Sequence, residues 1–312
     1  MDLLEGPLAG EVHPGVVYPE LGAVPNPGET VVVNTAGIEM GLGTGGVAFV
    51  LPGPGGEVPR NEDHFVKLPY TPLQFPATHA PQAASLDGVP VVVLPLHSHL
   101  APACCAAADL RLGSRVAFVW QEGGALPVGF SRVCRDLRER GLLHAVVSCG
   151  NCFGGDLEAA NVYAGLLAAA EAADIVVVGI GPGVVGTATA YGHGGMSAAV
   201  ASNAAGALGA APVFAPRVSD ADLRERHQGI SHHTLAALDA TLLGCRVALP
   251  AGTVASFEHP SRHTFVPVEY GAHGLEERFG VTFSSMGRSY KQDPAFFDAA
   301  AAAVGLALGD ER

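Results

Sequence analysis

The sequence predicts an α/β protein: a doubly wound, mostly parallel sheet of Rossmann-like type, with a small β domain ahead of it. Three observations carry this. Six continuous apolar runs lie between Val89 and Leu249, and their lack of alternation is what strands buried on both faces require. Helical stretches separate the runs. The unit recurs about every thirty residues, the size of a strand, a crossover helix and a return strand, and such alternation builds a parallel sheet with helices on its faces.

In chain order, the region from Gly15 to Gln74 reads as short β runs punctuated by Pro and Gly, with strands at Thr30–Asn34 and Gly46–Val50. The cluster Gly41–Gly46 imitates a dinucleotide fingerprint but leads into a strand, so it reads as a hairpin turn. Pro76 to Gly88 is a linker. The domain reading is therefore 1–80 for a small β-rich, barrel-like domain and 85–312 for the α/β domain. Its expected strands are Val89–Leu94, Arg115–Trp120, His144–Ser148, Asp174–Gly179, Ala211–Phe214 and Cys245–Leu249. Helices are expected over Phe130–Arg140, Leu157–Ala173, Met196–Leu208 and His232–Leu243. Thr264–Val268 and Val281–Ser284 offer further strands, and Asp293-Pro294 opens a last helix with Pro in its first turn.

Composition narrows the partners. With a formal charge of −13 and no basic stripe, nucleic acid is disfavoured, because phosphate neutralisation needs a cationic footprint. Anionic membrane surfaces are disfavoured on the same ground. The start of the chain lacks the basic and apolar regions of a signal peptide. The stretch Ile175–Pro216 carries no charged residue, yet its glycines and Pro182 break it into strand, loop and small-residue helix rather than a membrane span. The six cysteines show no disulfide-framework spacing, which fits a reducing cytoplasm. Lys67 and Lys291 are the only lysines beside fifteen arginines, and neither lies in the glycine-rich loops, so Schiff-base chemistry has no amine there. A small anionic molecule is the expected partner, the cofactor is unknown, and a homodimer is left open.

Ligands of an open parallel sheet bind where strands end and helices begin. The first strand delivers His97 and His99, which point to opposite faces if extended; the second delivers Glu122 on a glycine turn. The third delivers Cys149 and Cys152, a redox spacing weakened by further loop residues, and Asp156, read as the N-cap of the next helix and as an acid near the site. The fourth delivers Gly181, Gly183 and Gly186 in a G-x-G-x-x-G, then Thr187 and His193. Such glycines let backbone N–H groups approach an anion. A dinucleotide would want an acidic residue at the end of the next strand, where Arg217 stands instead. The fifth leads into Arg224, Arg226 and His227, then Ser231, His232 and His233. The bland reading is a surface loop laced with ion pairs; the functional one is an arginine clamp with a histidine acid/base, Ser231 being an N-cap.

Strings spread along the chain resemble one bacterial family: Tyr70-Thr71-Pro72-Leu73-Gln74, Gly123-Gly124-Ala125-Leu126-Pro127, Phe153-Gly154-Gly155-Asp156, Gly181 to Thr187, Arg224 to His227, Ser231 to Leu235 and Met286-Gly287-Arg288. The resemblance is to the domain-of-unknown-function 3866 family and extends from Thr30 onward. Cys152 and His99 stand outside the pattern. The resemblance implies no reaction.

Three functions follow as expectations. The first is an enzyme, hydrolase or transferase, acting on a small anionic or phosphorylated metabolite. Gly181, Gly183, Gly186, Thr187, Arg224, Arg226 and Ser231 would bind it, and His227, His232, His193 and Asp156 would serve catalysis. The second is a non-catalytic binding or regulatory module with the same pocket. The third is a metal-dependent hydrolase using His97, His227, His232 or His233 with Asp156, although no carboxylate stands at ligand spacing and no metal residues are assigned.

Overall fold

In the computed structural model, which describes residues 1–41, 46–51, 65–69, 71, 73–187, 189–253 and 262–309, the apolar runs become one eight-stranded, all-parallel sheet. Its strands are β1 (Val91–Leu94), β2 (Val116–Gln121), β3 (Ala145–Cys149), β4 (Leu157–Ala159), β5 (Ile175–Ile180), β6 (Val213–Phe214), β7 (Arg246–Pro250) and β8 (Thr264–Val268). The spatial order is β8-β7-β6-β1-β5-β2-β3-β4. The helices packed around this sheet are α1 (Leu100–Leu110), α2 (Arg132–Glu139), α3 (Val162–Ala172), α4 (Ser197–Ala207), α5 (His232–Ala240), α6 (Leu275–Phe279) and α7 (Pro294–Ala307).

The register explains why the runs do not alternate. Val213, Val92, Val177, Phe118 and Val146 stand side by side across β6, β1, β5, β2 and β3 and enter a core shared with α1, α2, α6 and α7. Their chain neighbours Phe214, Val93, Val178, Val119 and Val147 form the adjacent row and enter a second core, with α3, α4 and α5. Every position of these five strands is thus inside, and a slip of one residue would exchange the two rows. The chain runs from β1 outward to β4, then returns through β5 to β8. With right-handed crossovers the two directions put their helices on opposite faces, as the two cores require.

Two compact units are present, Met1–Thr78 and His79–Arg312. The first holds small separate sheets: one of Gly15–Val16, Ala48–Val50 and Val33–Asn34, another of Val66–Lys67 and Phe75–Pro76. Residues 42–45 of the turn expected over Gly41–Gly46 lie outside the described residues.

Two elements differ from expectation: the strand offered at Val281–Ser284 is only Ser284–Ser285, paired antiparallel with Arg288–Ser289 outside the main sheet, and the helix expected from Leu157 starts late. Leu157–Ala159 is the edge strand β4, paired with β3, rather than the first turn of a helix. The helix begins only at Val162, and its N-cap is Asn161, whose side chain accepts from the Ala164 N–H. Asp156 therefore caps nothing. Among the described residues no helix is long and apolar enough to cross a membrane; the uncharged stretch 175–216 is β5, a long loop, α4 and β6.

Candidate functional site

At the carboxyl ends of β5, β1 and β6, three adjacent strands in the middle of the sheet, a cavity of about 630 Å³ opens, within the range of small-molecule sites. The reason is topological. After β1 the chain turns to the face of α1, whereas after β5 and β6 it turns to the face of α4 and α5, so the connections part and leave a crevice.

The β1 loop contributes His97. Its ring packs against Trp120, and its nitrogens meet Ser131 Oγ at 2.8 Å and the Ile180 carbonyl at 3.3 Å. Burial pushes its pKa down to about 4. With both nitrogens engaged, His97 is a satisfied floor residue. His99 turns away and packs on Phe296.

The β5 loop does not run straight into a helix, as a dinucleotide loop does. It forms a small hairpin closed by a bridge between Gly186 and His193, with Thr187 N–H donating to the Gly192 carbonyl at 2.7 Å. Gly181 is demanded by packing, since a Cβ there would overlap the Trp120 ring. Gly183 sits at φ +80°, a left-handed conformation that suits glycine. Gly181, Gly183 and Gly186 all border the cavity. Thr187 does not; its hydroxyl is used within the hairpin, on Thr189 Oγ1 and the Gly192 carbonyl, and Thr189 takes its place on the wall.

After β6 the chain makes a two-stranded ribbon, Val218–Ser219 with Gly229–Ile230. The loop at its tip presents Arg224, Arg226 and His227 to the same cavity. The ion-pair reading of this segment also has its counterpart, but a buried one. Asp222, 3% exposed, accepts from Arg217 Nη2 at 3.0 Å, Arg224 Nε at 3.0 Å and Arg224 Nη2 at 2.9 Å. Arg288 approaches the same carboxylate at 3.5 Å and also holds Asp293. The Arg224 hydrogen bonds hold the Asp222 carboxyl well below the usual range, while burial lowers Arg217 to about 10. Arg226 has no ion pair among the described residues.

Four histidines meet at this wall. His193 and His233 stack at 3.7 Å between ring centroids, His232 and His233 lie 4.3 Å apart, and His227 is 4.9 Å from each of His232 and His233. His232 and His233 are neighbours at a helix start, yet both border the cavity, because it wraps around the first turn of α5. Burial is the largest cause lowering all four; it takes His227 to about 3, helped by Arg217 and Arg224, and His233 to about 3, helped by His193. Ser231 is fully buried and does not reach the cavity. It is the N-cap of α5, accepting from His233 N–H at 3.2 Å, and its hydroxyl meets His227 Nδ1 at 2.7 Å. Its role is to brace two histidines rather than to touch a ligand.

Asp156 is a correction. It precedes β4 near the sheet edge, where its carboxylate accepts from Val146 N–H and pairs with Arg138, and it does not border the cavity. Glu122 likewise turns to the Asn151 N–H, and Cys149 is buried at the end of β3, its sulfur standing where a side chain at Gly165 would go. Residues that the sequence did not single out for the site are Arg217, Asp222 and the turn Ser284–Met286. Arg217 carried a signal, as a lone cation directly after a buried strand, 4% exposed in the fold.

A family model described as "Protein of unknown function (DUF3866)" matches residues 15–304. The chain belongs to this family. The matched span of this DUF3866 member takes in every residue bordering the cavity, from Leu96 to Met286. No curated protein and no solved structure matches the chain significantly.

Proposed function

We propose that this cavity binds a small anionic, phosphate-bearing metabolite and that the chain is an enzyme acting on it. One observation carries the reading: among the described residues the wall presents Arg217, Arg224 and Arg226 and no carboxylate, in a chain of formal charge −13. An acidic protein that concentrates cations at one concave point favours an anion there over its own field. Arg217 Nε is a buried donor without a hydrogen-bond partner, and such donors are rare in folded proteins unless a ligand or water meets them. Arginine forks suit phosphate oxygens. Arg226, with no ion pair among the described residues, supplies free charge; Gly183 and Gly186 allow close approach of backbone.

In this reading His193 moves a proton. Its ring borders the cavity, and Nε2 faces the Ala190 carbonyl at 3.2 Å, which fixes the ring. The absence of a disulfide framework and of a basic surface fits action in a reducing cytoplasm on a small molecule. Calorimetric titration with inorganic phosphate and pyrophosphate, followed by a release assay over phosphorylated small molecules, tests the reading. Binding with turnover supports it, binding without turnover leaves a regulatory module, and no binding of any phosphate removes it.

A further inference from the structure

We propose that His227, His232 and His233 form a binding site for one divalent transition-metal ion, zinc by its donor chemistry, with the open coordination position facing the cavity. One ring nitrogen from each of these residues lies within 4.8 Å of those of the other two, the group found among the described residues with that geometry.

Convergence together with the state of the nitrogens marks the three as a ligand set. His97 satisfies both nitrogens on Ser131 and Ile180, and His99 leaves both unpartnered but packs alone on Phe296, whereas the nitrogens of His227, His232 and His233 gather at one point. Here His232 Nε2 and His233 Nδ1 are buried with no hydrogen-bond partner at all. His227 is different in the way a ligand is different: Nδ1 is taken by Ser231 Oγ at 2.7 Å, which leaves Nε2 for a metal. Metal-bound histidines characteristically give their second nitrogen to such an oriented oxygen. Ser231 braces His233 as well, through the backbone N–H that it caps, so one fully buried hydroxyl sets the positions of two ligands.

Three imidazoles and no carboxylate select against magnesium and calcium, which take oxygen ligands, and suit zinc. Zinc binds nitrogen at about 2.0–2.1 Å, so tetrahedral ligand atoms stand roughly 3.3 Å apart; the three rings need draw in by no more than about 1.5 Å. Three protein ligands with a fourth place open is the pattern of zinc sites that hold water or substrate. Asp156, the carboxylate that the sequence offered as a further ligand, is engaged by Val146 and Arg138, and the site is complete without it.

The ligand geometry stands independently of the anion reading, but the two are coupled. Arg217 and Arg224 border the same cavity, so a dication is placed among cations. A bound anion would offset that repulsion and raise metal affinity, and by linkage the metal would raise anion affinity equally.

The experiment uses the full chain purified without a histidine tag, stripped with chelator, and titrated with zinc and separately with cobalt. We expect one equivalent per chain and the visible absorption of four-coordinate cobalt. His232→Ala and His233→Ala each lower zinc affinity at least a hundredfold, Ser231→Ala lowers it roughly ten- to a hundredfold, and His144→Ala, at an exposed histidine, leaves it unchanged. Failure of the wild-type chain to bind zinc or cobalt overturns the proposal whether or not a variant folds, and so does retained stoichiometry in the folded His232→Ala/His233→Ala double variant. Sulfate separates the two readings. Zinc bound with no response to sulfate supports the metal site and counts against the anion site; sulfate bound by a chain that takes no zinc does the reverse.

Discussion

Arg217 and Asp222 form a buried ion pair, Nη2 to Oδ2 at 3.0 Å, with side chains only 5% and 2% exposed. The acid also receives Arg224 and shares Arg288 with Asp293, so it is the carboxylate that compensates Arg217 and Arg224. Removing it leaves buried positive charge unopposed, which costs about 3–5 kcal/mol. Asp222→Asn is therefore expected to unfold at markedly lower urea concentration, while Asp220→Asn, at an exposed acid beside it, shifts the midpoint little. Equal midpoints for the two variants would dismiss Asp222 as the organiser of the arginine loop.

Arg226 has the opposite standing: exposed, unpaired among the described residues, and on the cavity wall. A charged hydrogen bond contributes about 1.5–3 kcal/mol, so Arg226→Ala is expected to weaken phosphate binding roughly ten- to a hundredfold with no change in melting temperature. Calorimetry and a thermal scan on the same preparation check both halves. An unaltered affinity would take Arg226 out of the site.

The glycine loop offers a pair of contrasting substitutions. Gly181→Ala places a methyl group into Trp120 and is expected to cost about 1–3 kcal/mol by overpacking, with the phosphate-induced rise in melting temperature retained. Gly183→Val strains a left-handed backbone position and crowds the cavity edge. It is expected to lower the melting temperature and also abolish the rise. The increment on adding phosphate, rather than the melting temperature itself, is the readout, because both variants are destabilised. A Gly183→Val increment equal to that of wild type would exclude this loop from anion binding.

Acid should destabilise the fold in a defined window. Burial takes His97 to about 4 and His99 to about 3, against about 6.5 in an unfolded chain. Both are held neutral by the fold, so the unfolded chain gains protons first as pH falls. Their stabilisation is complete above about pH 6.5 and declines below it, by about 1.4 kcal/mol per pH unit for each histidine, until the folded values are reached. Urea midpoints followed from neutral pH downward should fall accordingly, and His99→Leu should make the decline shallower. An identical decline in that variant would place its origin elsewhere.

How much of this was legible in the sequence depends on how local the cause is. Val91–Leu94 and Ile175–Ile180 announce themselves because strands inside a parallel sheet need apolar residues at every position. Leu157–Ala159 does not, since Leu, Glu and Ala are good helix formers and only pairing with Val147–Cys149 makes them a strand. The glycine and arginine–histidine segments could be assigned to one end of the sheet from topology alone. The meeting of His193 with His233 could not, because a hairpin and a helix start distant in sequence bring them together. Asp156 misled for the same reason: a good capping residue, it stands before a strand that no local signal marks.

The parting of the connections at β5, β1 and β6 has a mechanical side. The turn Ser284–Met286 belongs to the connection between α6 and α7 on one face of the sheet, while the glycine and arginine–histidine loops lead to α4 and α5 on the other. The cavity is thus a seam between two helical layers, already tied at one end where Arg288 meets Asp222 and Ser219 donates to Asp293. Whatever spans from Met286 to His193 rivets those layers together. Slowed amide exchange would then appear on both sides of the sheet at once, in the turn before α7 as well as in the first turn of α5.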